Sequence, residues 1–217
     1  MSEPQDVRPY GDLTKDQLIE TLQRKYSVHQ YLEEAFALCA RVRRSEEGER
    51  SFLERRGPAK QLCDEMLPLG YLAKYFLSNW PGTELQLVLG SQPYDALVTH
   101  RYGFVDLPSH IEVTCLDRPE DHKRRAALAA TGMVIDTFNE AQRLIEMSDL
   151  LRRAIKRKSG KPYPSGTLLL IFQKTKRRLD GWMNVVVDVS EELRTELSCF
   201  RRVIVMNEHS IDLDFRP

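Results

Sequence analysis

The chain has 217 residues, 41% of them hydrophobic, which is enough for one domain with a sizeable core. Its 32 Lys and Arg balance 32 Asp and Glu, which excludes a protein held to nucleic acid by global charge and leaves only a local basic patch for that role. Apolar runs such as residues 168–172 are far too short to cross a bilayer, the N-terminal MSEPQDVRPYGD lacks the pattern of a secretory signal, and Cys39, Cys63, Cys115 and Cys199 form no C-x-x-C pair, so buried reduced thiols and a cytoplasmic location are expected.

The chain divides near Trp80-Pro81-Gly82, helical before and mixed after. Thr14 followed by Gln17 is a capping-box pattern and predicts a first helix. Ser27 with Gln30 predicts the start of a second, whose stripe is Val28, Tyr31, Leu32, Ala35, Leu38, Cys39 and Val42. Residues 41–56 are dominated by charge and read as a solvated helix face or a connection. Leu62, Met66, Leu69, Leu72, Ala73 and Phe76 continue an apolar face, in which Pro68 should kink or split the helix.

Strand signals begin at Glu84, where Leu85, Leu87 and Leu89 alternate with other residues. A turn at Gly90-Ser91 leads to a second strand over 94–99, and a third covers 110–116. Asp117, an early Pro119, and acidic Glu120 and Asp121 read as a helix start. Another helix is predicted over 136–158, with Phe138, Ala141, Leu144, Ile145, Ser148, Leu151 and Ile155 on one face. TLLLIF, residues 167–172, suits a central strand covered on both faces. Residues 183–189 read as a half-buried strand, Ser190 with Glu191 and Glu192 as a short helix, and 203–206 and 211–215 as the final strands. The expectation is an α/β (α+β) domain, residues 51–217, behind a helical N-terminal extension, residues 1–50.

Two acids stand out. Alternation along the third strand puts His110, Glu112 and Thr114 on one face and Ile111, Val113 and Cys115 on the other. A Glu inside an otherwise apolar strand is costly to bury unpaired. Asp95 also lies in a strand, directly after Pro93-Tyr94. If the strands pair as neighbours, both carboxylates meet at one sheet edge, a donor set that suits a hard divalent cation. The alternatives are a Glu112 that faces solvent or pairs with an Arg, and an Asp95 that begins a turn. His100 and His110 flank the pair without an assigned role, and the five histidines show no metal-ligand spacing. There is no GxxxxGK[ST] loop, GxGxxG, G-x-S-x-G or HExxH.

This centre resembles the PD-(D/E)XK (restriction-endonuclease-like) superfamily. P-Y-D at Pro93 to Asp95 and I-E-V-T at Ile111 to Thr114 occupy the places of its strand Asp and its E-x-K. The order of elements over 55–172 is similar as well. The resemblance implies a restriction-endonuclease-like core with a mixed central sheet flanked by helices. It implies Mg²⁺ or Mn²⁺ on Asp95 and Glu112, with a third carboxylate from the preceding helix, first Glu65 and then Glu54. Thr114 stands where the superfamily has lysine, and a neutral hydroxyl cannot supply that cation. Lys60 and Lys123 are the migrated-lysine candidates.

The resemblance therefore implies either a metal-dependent phosphodiesterase acting on DNA or RNA, or a catalytically inactive nuclease-fold module that binds nucleic acid or a protein. An unrelated α/β interaction protein is the third reading. From Arg152 to Arg178 there are ten Lys and Arg and no acid. Arg152, Arg153, Lys156, Arg157 and Lys158 end a helix, where cations either only favour the dipole or converge with the next cluster beside the acidic site to grip a phosphate backbone. Lys174, Lys176, Arg177 and Arg178 follow the buried strand and form the candidate phosphate-backbone patch. The N-terminal helices can form a homodimer or pack back on the domain.

Overall fold

A computed structural model describes residues 7–102, 106–134, 139–174 and 179–217. Its spine is a seven-stranded mixed sheet whose spatial order equals its chain order: β1 (Lys25–Ser27), β2 (Thr83–Leu87), β3 (Ala96–His100), β4 (His110–Leu116), β5 (Thr167–Gln173), β6 (Arg202–Met206) and β7 (Ile211–Phe215). β4, β5 and β6 run parallel, and the other neighbours pair antiparallel. Parallel neighbours need a crossover, which α6 (Pro119–Thr131) with α7 (Glu140–Ser159), and then α8 (Trp182–Glu192) with α9 (Arg194–Leu197), supply.

Helices cover both faces. On one face lie α1 (Lys15–Leu22), α2 (Tyr31–Val42), α4 (Gly57–Gln61) and α5 (Leu67–Tyr75), whose apolar side chains share a core with Leu85, Ala96, Ile111, Leu168 and Leu170. On the other lie α7, α8 and α9, packed on Leu169, Ile171, Val203 and Val205. β5 sits between the two cores and is buried at every position, which explains a strand with no polar alternation. The N-terminal helices thus pack back on the sheet, and β1 adds a strand to its edge. Gly70 permits the close approach of α5 to α2: a Cβ there would lie 2.8 Å from Leu32 Cδ1. No helix among the described residues is long and apolar enough to cross a membrane.

The capping box at Thr14 forms as expected, with Gln17 N–H donating to Thr14 Oγ1 and Thr14 N–H to Gln17 Oε1. The charged run supplies α3 (Glu46–Glu54), capped by Ser45. Two expected elements change type. Ser27 ends strand β1 instead of capping a helix, because residues 25–27 pair with 84–86. Residues 183–189, expected as a strand, belong to α8, which buries Trp182, Val186, Val189 and Ser190 at helical spacing. α7 begins at Glu140, where Asn139 Oδ1 accepts the Gln142 N–H at 3.0 Å. The expected start at Asp136, with Phe138, lies outside the described residues. Cys199, expected to be buried, is exposed, and all four thiols are free.

Pro68 does not end the helix that carries it. α4 and α5 are joined just before it by a π turn, Leu62–Met66. The proline has no N–H to give back. The carbonyl of Asp64, four residues earlier, accepts instead from Cys115 Sγ of β4 at 3.2 Å. The inserted turn sets Asp64 and Glu65 against the sheet.

Candidate functional site

The site begins where β3 and β4 part. Their register is limited to Ala96 with Ile111 and Leu97 with His110. Asp95 N–H still donates to Ile111 O at 2.9 Å. Beyond it the Asp95 side chain replaces the missing strand, and Oδ2 accepts the Val113 N–H at 2.7 Å. The second half of β4 is left without β3 as a partner.

Glu112 lies on the α7 side of β4, only 2% exposed. Lys158, buried on the last turn of α7, places Nζ on Glu112 Oε1 and donates to Val113 O at 3.1 Å. Lys161 Nζ stands 3.4 Å from the same Oε1. Tyr163, stacked near Phe200, lies beside Glu112, and burial followed by that negative charge pushes its phenol pKa up. Thr114, also buried, accepts from Arg157 Nη2 at 3.2 Å.

The carboxylates feel one another. Burial, and then the charge of Glu112, pushes Asp95 up to about 6 against the Val113 N–H and Lys158. Burial, and then Asp95 and Asp64, pushes Glu65 up to about 8 against Lys60 and Lys158. Three elements thus bring Glu65, Asp95 and Glu112 into electrostatic contact, with Lys158 among them. Asp95 is anchored through Oδ2 and Glu112 through Oε1, so each keeps a second oxygen that its anchor does not use.

A second ionic network lies behind Glu65. Asp64 is paired with Arg55 at 2.8 Å and with Lys174, and Asp117 with Arg55 and with Arg125 at 3.3 Å. Arg55 caps α3 with φ 54°, the only positive φ outside glycine among the described residues. Its ties to two aspartates offset the ~1 kcal/mol cost of that conformation.

Of the residues singled out from sequence, Asp95, Glu112 and Glu65 come together. Glu54 is paired with Arg56 at 2.7 Å. Lys60 is exposed on α4, within electrostatic reach of Glu65, and Lys123 is exposed on α6. Lys174 is committed to Asp64, whereas Lys176, Arg177 and Arg178 lie outside the described residues. His110 packs on Tyr94 in a tilted ring pair at 4.5 Å and has its pKa lowered by burial. Among the described residues no three His, Cys, Asp or Glu side chains are gathered closely enough to ligate one ion.

Sequence reasoning missed Lys161 and Tyr163, and it placed Arg157 and Lys158 in a cationic helix end without pairing them with Thr114 and Glu112. The signal for Lys158 was present. Met147, Leu151, Ala154, Ile155 and Lys158 form the buried stripe of α7, and a lysine on such a stripe needs a buried acid as partner. Comparisons with protein-family models, curated proteins and solved structures find no match to this chain.

Proposed function

We propose that the chain is a divergent PD-(D/E)XK nuclease-like protein whose Asp95 and Glu112 serve to cleave nucleic-acid phosphodiesters with a divalent cation. The observation that carries this reading is Lys158, whose ammonium lies on Glu112 beside Asp95. Thr114 cannot supply the positive charge of an E-x-K lysine, and Lys158 brings one to the same carboxylate from α7. Further support comes from the succession of α4 with α5, three antiparallel strands, a helical crossover and the parallel β5.

The donor set fits Mg²⁺ or Mn²⁺. Two carboxylates, each with an oxygen its anchor does not use, suffice for Mg²⁺, which keeps waters and substrate phosphate in its other positions. Asp95 and Glu112 would hold the ion, with Glu65 nearest as a third acid. When bound, the ion supplies an activated water and offsets charge on the phosphoryl oxygens. Lys158 and Lys161 place positive charge on Glu112 and fix its orientation. Their ammonium groups add positive charge where a phosphate would sit. Asp95, at about 6, is mostly ionised at neutral pH.

A fold-keeping module that binds without cleaving is the second reading, and the Thr114–Arg157 hydrogen bond favours it. Labelled DNA and RNA oligonucleotides incubated with Mg²⁺ or Mn²⁺ separate the two. The cleavage reading expects turnover by the wild type, lowered about 100-fold or more in Asp95→Asn and in Lys158→Met, as when a single electrostatic contact to the transition state is removed. Tight binding without turnover on any substrate would select the module.

A further inference from the structure

We infer that a cationic stripe of α7 grips a single nucleic-acid strand and leads it along the free edge of β4 to the carboxylates. Leu150, Arg153, Ala154 and Arg157 follow the i, i+3, i+4, i+7 spacing of one helix face. Together with Cys115, Leu116 and Asp117 they line a groove of about 430 Å³, in which the one acid, Asp117, is paired with Arg55 and Arg125. Arg157 also donates to Thr114, which shares a face of β4 with Glu112 two residues away, so the groove adjoins the strand face that carries this carboxylate.

Charge pairing limits what this surface can hold. Arg152, one residue off the stripe, is committed to Glu192 at 2.9 Å, and Arg118 to Asp121 and Glu146. Arg153 and Arg157 are exposed and have no carboxylate partner among the described residues. The available cations thus form one row instead of a broad face. A groove of this volume, with an apolar floor of Leu116, Leu150 and Ala154, takes one nucleotide unit at a time. A duplex presents two backbones and needs a wider basic surface. The inference rests on the proposed nuclease-like reading for where the strand leads, and its test omits divalent metal so that the two fail separately.

Fluorescence anisotropy of a labelled single-stranded DNA octamer, in EDTA, with the full chain, is the test. The comparison probes are a hairpin duplex of the same sequence and a labelled octaglutamate peptide. Expected is salt-dependent binding that prefers the single strand. The double variant Arg153→Gln, Arg157→Gln should bind about tenfold more weakly, with a log–log salt slope shallower by about 0.7 per arginine. Lys156→Gln, an exposed charge off the stripe, should bind the octamer as the wild type does, and urea unfolding should show the arginine variant to be folded. Unchanged octamer affinity in that variant would overturn the inference. So would an equal loss in Lys156→Gln, a preference for the duplex, or octaglutamate binding as tightly as the octamer. Loss in the arginine variant alone would uphold it even if no substrate is cleaved.

Discussion

Glu112 stands between Ile111 and Val113 in the middle of the sheet, where an isolated carboxylate would cost several kcal/mol. It is tolerated because Lys158 and Lys161 converge on Oε1. Removing one partner of a buried pair costs more than the pair contributes, since the other charge is left uncompensated. Lys158→Met should therefore destabilise the protein by about 3 kcal/mol, the low end for such pairs because Lys161 remains. The double variant Lys158→Met, Glu112→Gln should recover most of that loss. Urea unfolding of both variants checks this, and equal destabilisation in the two would show that the methionine packs badly and that no charge is stranded. Asp95 is a different case. Its anchor is a backbone N–H, which the side-chain carbonyl oxygen of an asparagine can also accept, so Asp95→Asn removes charge while keeping the hydrogen bond.

Much of the element order could be read from the chain, and the misreadings have local causes. The strands around Asp95 and Glu112 were legible because leucines alternate along β2 and β4 carries a single acid at mid-strand. Val185, Val186, Val187 and Val189 suggested a strand through β propensity. The longer period in Trp182, Val186, Val189, Leu193 and Leu197 is helical, and burial follows that period. Ser27 has the spacing of a helix cap, but the edge of β2 offered residues 25–27 three ladder positions. Pro68 pointed to a kink or split there, and a π turn before it is the form this takes; the Cys115 thiol that meets the freed Asp64 carbonyl, 51 positions away, could not be foreseen. The pairing of Lys158 with Glu112 was missed for a similar reason: they are 46 positions apart, and only the crossover of α7 onto β4 joins them.

At the scale of the whole molecule, a chain of zero net charge concentrates its unusual electrostatics where β3 leaves β4. This has a consequence for stability. Asp95 shifts from 3.8 to about 6 and Glu65 from 4.5 to about 8 on folding, so the folded state holds these protons more tightly than the unfolded chain. Stability is then lost as pH rises from each unfolded value to each folded one. His110, whose pKa burial lowers, acts in the opposite sense near its ordinary value of 6.5. The window from about pH 6.5 to 8 reports mainly on Glu65. The urea midpoint should fall across that window in the wild type and stay nearly flat in Glu65→Gln. Parallel slopes for the two proteins would remove Glu65 from the cluster.

Metal-dependent chemistry at this site requires that Asp95 and Glu112 share a cation. Calorimetric titration with Mn²⁺ at neutral pH reads this out in the wild type, in Asp95→Asn, and in the Asp95→Asn, Glu112→Gln double variant. One site is expected in the wild type, weaker binding in Asp95→Asn and none in the double variant. Equal binding by all three proteins, or none by the wild type at millimolar Mn²⁺ with an oligonucleotide present, would rule out the shared ion.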